Sequence, residues 1–409
     1  LFSMTVVQGA RDAREARILV YSNSGSVSIF AKGEKTPVAS GKPDEYGIVK
    51  FTIKNLLPDT KYEFTAKDAS EEVPFTVKTI ADYIDRTPPT NVKIALLGNV
   101  HRNDSMFDRP FKTPGGGYEI YDSINAKNCD AVVWANNAAE MRPADYGSFS
   151  GIMARYAYEK ADPAMKNLLK DNANYAVMSE NSFGAPGSDR RAWNKAAIVE
   201  AFRRNWANPD SPADSSETVA ATFRISDTEV FLLDSMSSRN DFDFDESRPE
   251  MFGKEQLYRL MHSLKTSRAK FKIIISNAPI INPAEAGGNF SKYPRERKML
   301  LDFLLKNKIG GVIFASANKS YGEITRMVRP SAHELFEITT GATTDRPAEK
   351  ASEMNFFRVP GSAVFERTFS IISVTGAENE RIVTLESFNS KGESVFSQNI
   401  KESDLAQFQ

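Results

Sequence analysis

Lys93-Ile-Ala-Leu-Leu97, followed by Gly98-Asn99-Val100, is the stretch that decides the fold of the larger part of the chain. Its apolar run is continuous rather than alternating, which is typical of a strand buried on both faces of a sheet. Such strands, alternating with helical stretches, predict an α/β layered domain whose functional groups lie at the strands' carboxyl ends. Five later runs share this form: Asp130–Trp134, Tyr175–Met178, Glu229–Asp234, Phe271–Ile275 and Gly311–Ala315.

Good helix formers fill the intervals between these runs. Pro163 stands at a first-turn position, which suits a helix start. The last segment, from Phe365 to Ile400, alternates apolar and polar residues and predicts antiparallel strands that complete a second sheet. The predicted helices are Asp162–Leu169, Trp193–Asn205, Lys254–Lys265 and Arg295–Asn307.

Residues 13–80 read as short strands with period-two alternation and a turn about every ten residues, which predicts a small β-sandwich. Within it, Leu57-Pro-Asp-Thr-Lys-Tyr62 is typical of a tyrosine corner, in which the tyrosine hydroxyl bonds back to the main chain. We therefore predict a fibronectin-III-like domain. The predicted boundaries are an N-terminal tail or edge strand at 1–12, this domain at 13–80, a proline-containing linker at 81–92 and the α/β domain at 93–409.

The composition excludes several classes of protein. Lys and Arg total 52 against 53 Asp and Glu, so a nucleic-acid-binding coat is not expected. No run of 18 apolar residues is present, so no transmembrane segment is predicted. Cys129 is the single cysteine, which excludes an intramolecular disulfide and a cysteine-built zinc site.

The strand-end loops and the order of the two domains resemble the PhoD-type alkaline phosphatases, which belong to the calcineurin-like metallophosphoesterases. The resemblance covers roughly residues 15 to 400 and implies an α/β/β/α sandwich that holds two metal ions between its sheets and hydrolyses phosphate mono- or diesters. The framework motifs that carry it are Ala161–Pro163, Thr228–Asp234, Gly253–Gln256, Lys272–Ser276 and His333–Thr340.

The loops on which this family carries its metal ligands depart from the family pattern. Its Gly-Ser-Cys reads Gly98-Asn99-Val100 here, and its Gly-Asp-Asn reads Ala135-Asn136-Asn137. Its Trp-Asp-Asp-His-Asp-Tyr-Gly reads Met178–Gly184, and its Ser-Gly-Asp-x-His reads Ser316–Ser320. The vestigial site positions are therefore Asn99, Val100, Asn136, Asn137, Glu180, Asn181, Asn318 and Ser320.

These replacements change the donor chemistry. An amide offers one neutral oxygen and an NH2 donor where a bridging carboxylate offers two oxygens and a negative charge. Valine offers no donor, and serine is a weak ligand at neutral pH. Two side chains of the expected set, Asn137 and Glu180, could still coordinate well, so we predict that the two-metal centre does not assemble and that the chain uses no cofactor.

Two alternatives stay open. A remodelled hydrolase site could hold one metal ion through Asn137, Glu180 and His101, with His262 and His333 structural. Alternatively, the cleft could be a metal-free receptor for an anionic ligand. Its candidate anchors are Arg190, Arg191 and Lys319, which otherwise read as surface charge.

Other motifs favour plain structural interpretations. Asn240–Glu246 carries alternate carboxylates but lacks the glycine and glutamate spacing of a calcium loop, so a solvated acidic loop is favoured. Gly115–Gly117 lacks the Lys-Ser/Thr of a phosphate loop and predicts a turn. Cys129 is expected to be a small buried residue, and no nucleophile elbow is present.

The functional hypothesis is a catalytically inactive PhoD-like phosphatase homologue that acts as a structural or interaction component. Its expected partners are other proteins of a larger cell-envelope or surface assembly. The resemblance implies an extracytoplasmic location, because the family is usually exported. A metal-dependent phosphomonoesterase or phosphodiesterase with a remodelled site is the alternative.

Overall fold

The computed structural model describes residues 3–83, 87–106, 108, 113–136, 138–210, 217–240, 249–330 and 332–406. The first part is a sandwich of two antiparallel sheets. One sheet has the order β1-β2-β5 and the other β4-β3-β6-β7. The strands are β1 (Thr5–Arg11), β2 (Ala16–Tyr21), β3 (Val27–Ala31), β4 (Ala39–Gly41), β5 (Ile48–Ile53), β6 (Lys61–Lys67) and β7 (Glu72–Lys78).

The alternation seen in the sequence matches the buried faces of this sandwich. On β5 and β6 the apolar positions point into a core that includes Phe51 and Phe64, while intervening residues face solvent. At the predicted corner, the Leu57 N–H donates to the Tyr62 hydroxyl at 2.8 Å. The β-sandwich is confirmed, and its fibronectin-III topology stays a prediction.

The second part contains two six-stranded sheets packed face to face. The first has the order β10-β9-β8-β17-β18-β19 and the second β11-β12-β13-β14-β16-β15. The strands are β8 (Val92–Leu97), β9 (Ala131–Trp134), β10 (Asn174–Ala176), β11 (Ala221–Ile225), β12 (Thr228–Leu233), β13 (Phe271–Ser276), β14 (Val312–Ser316), β15 (Glu323–Met327), β16 (Leu335–Thr339), β17 (Thr368–Thr375), β18 (Ile382–Asn389) and β19 (Ser394–Lys401).

Helices cover the outer faces of both sheets. The first four helices share a core with residues of the first sheet, and α5 and α6 share one with the second, which gives the predicted α/β/β/α order. The helices are α1 (Ile120–Ala126), α2 (Phe149–Lys160), α3 (Lys166–Asp171), α4 (Lys195–Asn205), α5 (Gly253–Thr266), α6 (Pro294–Lys306) and α7 (Glu402–Leu405), with 3-10 turns at Glu180–Ser182 and Phe290–Lys292.

The first strand connects the two parts. Val6 packs in the sandwich core. Val7 packs in the core between the first large sheet and its helices, and Ala10 packs in the core between the two large sheets. Gly9 lies so close to Ala207 that an added Cβ would stand 2.3 Å from the Ala207 Cβ. For residues 5–11 the sequence predicts a tail or an edge strand. They form an edge strand that packs against both parts.

Several elements differ from the prediction. The helix expected from Asp162 begins at Lys166, because the Asp162 carboxylate accepts the Ala164 N–H at 3.0 Å and forms a turn. Strand β11, which no predicted run covers, is an edge strand of the second large sheet. Strands β17 to β19 extend the sheet that holds β8, in agreement with the antiparallel extension predicted for the last segment. Among the described residues, no helix is long and apolar enough to cross a membrane.

Candidate functional site

The carboxyl ends of parallel strands converge between the two sheets. Strands β8, β9 and β10 run parallel in one sheet, and β12, β13 and β14 run parallel in the other. The loops that follow them meet across the sandwich, as side-chain hydrogen bonds between the two sheets show. Asn136 after β9 contacts Asn277 after β13, and Glu180 after β10 contacts Asn318 after β14.

An amide network occupies the deep part of this cleft. Asn136 Nδ2 donates to Asn99 Oδ1, and Asn136 Oδ1 accepts from Asn277 Nδ2 at 2.7 Å. Asn277 Oδ1 in turn accepts the Glu180 N–H at 3.3 Å. Both Asn136 and Asn277 are buried. The amides thus satisfy one another, which is the usual condition for burying polar groups.

Glu180 lies between an amide and a guanidinium. Its Oε2 accepts from Asn318 Nδ2 at 3.1 Å and stands 3.5 Å from Nη1 of Arg239. Arg239 is buried, and its Nε donates to the Tyr293 hydroxyl at 2.8 Å. The one carboxylate among the vestigial positions is therefore paired with a cation from the chain itself.

Lys319 is buried rather than on the surface. Its Nζ is 2.9 Å from Glu353 Oε2, and both side chains are at most 5% exposed. Glu353 Oε1 accepts from Asn282 Nδ2 at 2.8 Å and from Asn289 Nδ2 at 2.7 Å. A buried lysine needs such a partner because an isolated ammonium is costly to remove from water.

A glycine pair lies directly over these groups. Gly287 and Gly288 have φ of +50° and +81°. A Cβ on Gly288 would stand 3.0 Å from Asn318 Nδ2 and 3.4 Å from Glu180 Oε2, and a Cβ on Gly287 would stand 3.1 Å from Lys319 Nζ. Glycine is required here by both the positive φ and the close approach of the main chain to the cleft.

His101 lies in a separate cluster of charges. Its Nδ1 is 2.7 Å from Glu140 Oε2 and its Nε2 is 3.1 Å from Asp108 Oδ2. Burial opposes the charged form, but the hydrogen bonds to the two carboxylates outweigh it and raise the pKa of His101 to about 9. With both ring nitrogens protonated and donating, the imidazolium has no lone pair to offer a metal ion. Asn137, its suggested co-ligand, lies outside the described residues.

The other two histidines do not contact this cluster. His262 is exposed on α5. His333 is buried, and burial together with the nearby Arg329 guanidinium lowers its pKa to about 4. A neutral buried histidine beside an arginine is compatible with the structural role expected from the sequence.

The three candidate anion anchors all have carboxylate partners. Arg190 Nη1 stands 3.0 Å from Glu250 Oε2, Arg191 pairs with Asp189, and Lys319 pairs with Glu353. The Arg190 N–H also donates to the Arg239 carbonyl at 2.8 Å, which ties its loop to the rim of the cleft.

The remaining predicted positions have mixed surroundings. Val100 is buried in the core between the first large sheet and its helices, and Asn181 and Ser320 are partly exposed. Cys129 is buried, and burial raises the pKa of its thiol to about 12, as expected for an unreactive residue. Gly117 has φ of +66°, as suits a turn. The acidic run after Asn240 lies outside the described residues through 248.

Sequence reasoning missed several residues that form the cleft. Asn277 appears there only as a strand end, although its position after β13 is equivalent to that of Asn318 after β14. The Gly287-Gly288 pair was a usable signal, because adjacent glycines after a buried strand often mark a close main-chain approach. Arg239 and Glu353 lie in segments without periodicity, and the sequence offers no signal for their roles.

Comparisons with known proteins agree on the architecture. No family model matches the sequence, and no curated protein matches it. Among solved structures, PhoD superposes with a TM-score of 0.75 at 13% identity, over 98% of this chain and 90% of that one. The chain has the fold of the PhoD-type metallophosphatases.

A purple acid phosphatase also shares this fold. The enzyme PPD1 from seeds of yellow lupin (Lupinus luteus) superposes with a TM-score of 0.72 at 11% identity, over 98% of this chain and 75% of that one. Both matches cover the sandwich and the α/β/β/α part together, so they confirm the predicted fold along the whole chain.

Two framework motifs of the PhoD-type resemblance contact each other. Asp234 at the end of β12 donates its N–H to Gln256 Oε1 at 2.8 Å, and Gln256 Nε2 donates back to the Asp234 carbonyl at 2.8 Å. The Asp234 carboxylate accepts the main-chain N–H groups of Val219, Met236 and Ser237. These residues thus hold the loop that carries Arg239 into the cleft.

The prediction that the chain uses no cofactor is contradicted. PhoD and the purple acid phosphatase, which share its PhoD-type fold, are metal-dependent. The prediction went wrong because it judged the cofactor from the side chains at the vestigial positions alone and gave no weight to the metal dependence of proteins that share the fold.

The donor set of this chain nevertheless does not fit a two-metal centre. Across the part of the chain that the structure describes, no group of three or more His, Cys, Asp or Glu side chains is arranged to hold a metal ion. The cleft instead offers amides, one arginine-paired carboxylate and a buried lysine. The cofactor that the fold implies and the donors that the chain supplies therefore disagree.

Proposed function

We propose that the protein is a catalytically inactive member of the PhoD-type fold that serves as an interaction component of an extracytoplasmic assembly. The pairing of Glu180 with Arg239 at the strand ends carries this proposal. In a two-metal phosphatase, cations at such a site polarise the phosphate and lower the pKa of a bound water. A guanidinium cannot lower the pKa of water in that way.

The amide network supports the same proposal. Hydrolysis needs a base or a metal-bound hydroxide close to the phosphorus. Asn136, Asn277 and Asn318 are neutral between pH 4 and 10 and cannot accept a proton there. Their hydrogen bonds to one another and to Glu180 leave a structural role as the simplest account.

The interaction role is supported by the surface. Trp193 is 79% exposed and Phe356 is 81% exposed, and large exposed aromatic side chains are frequent at protein interfaces. The balanced charge gives no reason to expect a nucleic-acid partner. The extracytoplasmic location rests on the family resemblance given above.

Turnover is tested with purified protein against aryl phosphate monoesters and diesters. Because the neighbouring structures are metal-dependent, each assay is run as isolated and after addition of Mg²⁺, Ca²⁺, Mn²⁺, Zn²⁺ or Fe³⁺, with metal content measured alongside. We expect no turnover above the buffer blank in any condition.

A Glu180→Gln variant supplies the matched control. If the wild type turned over substrate and Glu180→Gln lost that activity while keeping its fold, the remodelled hydrolase would be the correct function. Activity that persisted unchanged in Glu180→Gln would instead indicate a contaminating phosphatase.

A further inference from the structure

We propose that residues 283–288 form a plug, held by Glu353, that closes the strand-end cleft. The inference rests on the proposed function, since a closed cleft suits a protein without turnover. It adds a physical cause that is independent of the replaced ligands: the main chain at Gly288 lies over one side of Glu180 and Asn318.

The first argument is the distance between the plug and the cleft. The Cβ positions of Gly287 and Gly288 would lie within 3.0 to 3.5 Å of Asn318, Lys319, Glu180 and Glu353. The plug main chain therefore lies so near the groups that a ligand would have to reach that a single added carbon atom would touch them. Gly288 is itself buried.

The second argument is the clamp at both ends of the plug. Glu353 Oε1 accepts from Asn282, which precedes the plug, and from Asn289, which follows it. Glu353 Oε2 binds Lys319 at 2.9 Å, and Lys319 Nζ also donates to the Gly287 carbonyl at 3.4 Å. One buried carboxylate therefore joins the two ends of the plug and the loop after β14.

The third argument is the rigid approach to the plug. The main-chain N–H groups of Ile280 and Ile281 both donate to Glu337 at 2.8 Å, and their carbonyls both accept from Arg297 at 3.0 Å. Glu337 lies on β16 and Arg297 on α6, so two regular elements fix the direction in which the chain enters the plug.

The plug is tested by thiol accessibility, which does not depend on any activity. In a Cys129→Ala background, Asn318→Cys places a thiol beneath Gly288, and Val328→Cys places one at a residue that is 67% exposed. Labelling of each folded protein with 5,5′-dithiobis(2-nitrobenzoate) is followed by absorbance. We expect the thiol at 318 to react at least about tenfold more slowly than the thiol at 328.

Two changes should release the plug in the Asn318→Cys protein. Glu353→Ala removes the clamp. Gly288→Ala leaves the clamp intact but strains the plug main chain, because Gly288 has φ of +81° and an added Cβ would stand 3.4 Å from Glu180 Oε2. Each should raise the labelling rate at 318 by about tenfold, whereas Glu334→Ala, which alters a surface pair with Arg326, should not. If Glu353→Ala does not fold, the labelling rate at 318 in the Gly288→Ala protein tests the plug instead.

Two outcomes would overturn the plug. One is a thiol at 318 that reacts as fast as the thiol at 328 while residues 283–288 are unchanged. The other is a folded Gly288→Ala protein whose rate at 318 is unaltered. Phosphatase turnover in the wild type, by contrast, would refute the proposed function without changing either labelling rate.

Discussion

Two buried lysines, one in the cleft and one at the junction of the two domains, are stabilised in different ways. Lys319 has the Glu353 carboxylate at 2.9 Å within a network of amides. Lys160 donates to the Asn205 carbonyl and stands 3.4 Å from the centre of the Trp206 ring, and no carboxylate of the described residues pairs with it. The cleft therefore compensates its cation with an opposite charge, and the junction does so with dipoles and an aromatic face.

The difference follows from what stands beside each cation. In the cleft, the carboxylates of Glu180 and Glu353 lie next to Arg239 and Lys319 as counter-charges. At the junction, a carbonyl and an indole ring lie next to Lys160. There, burial lowers the pKa of Lys160 well below its ordinary value.

The largest expected effect comes from breaking the cleft pair. Glu353→Ala leaves a buried ammonium without a counter-charge and should lower the free energy of unfolding by about 3–5 kcal/mol, as measured by urea denaturation. The matched control Glu334→Ala breaks an exposed pair and should lower it by less than about 1 kcal/mol. Equal losses in the two variants would show that the cleft pair contributes no more than a surface pair.

His101 tests how much two carboxylate partners stabilise one buried positive charge. Because its pKa is raised to about 9, its contribution is fully present below the unfolded pKa of about 6.5 and is lost as the pH rises through 9. At pH 6 the wild type should exceed His101→Gln in unfolding free energy by on the order of 2 kcal/mol, and by much less at pH 10. The exposed His262→Gln is the control, and a difference independent of pH would argue against the charged cluster.

Lys160→Met should have the smallest effect at neutral pH. Replacing a buried amine that has no carboxylate partner among the described residues by an apolar side chain of similar length should change the free energy of unfolding by less than about 1 kcal/mol. Because the pKa of Lys160 is lowered, the wild type should gain stability relative to the variant as the pH rises from 7.5 towards about 10.4. The control variant is Lys298→Met on the surface of α6. If Lys160→Met lost as much unfolding free energy as Glu353→Ala, Lys160 would have to be paired with a carboxylate.

Much of the architecture could be predicted from local pattern. The runs at 16–21 and 48–53 coincide with β2 and β5, and continuous apolar runs located β8, β9, β10, β12, β13 and β14 but not β11. The sequence does not predict helices α1 and α2, because their apolar residues are interspersed with polar ones. Some of the polar residues on α2 are buried. Arg155 forms ion pairs with Asp145 and Glu159, and hydrophobic periodicity cannot predict buried ion pairs.

The candidate site was only half predictable. Strand-end position identified Asn136, Glu180 and Asn318, because parallel strands bring their carboxyl ends to one edge. The expectation of free cations at Arg190 and Lys319 overlooked their carboxylate partners, which lie 60 and 34 positions away in the chain. The cofactor prediction was wrong because it weighed donors without the fold that holds them.

By itself the sequence determined which side chains can ionise at each strand end and which segments must be buried, because both follow from covalent chemistry and from the spacing of apolar residues. Only the tertiary structure decided that Glu353 meets Lys319 and that Gly288 lies on Asn318. Those contacts depend on where irregular loops cross after the sheets have packed, and hydrophobic periodicity carries no information about such crossings.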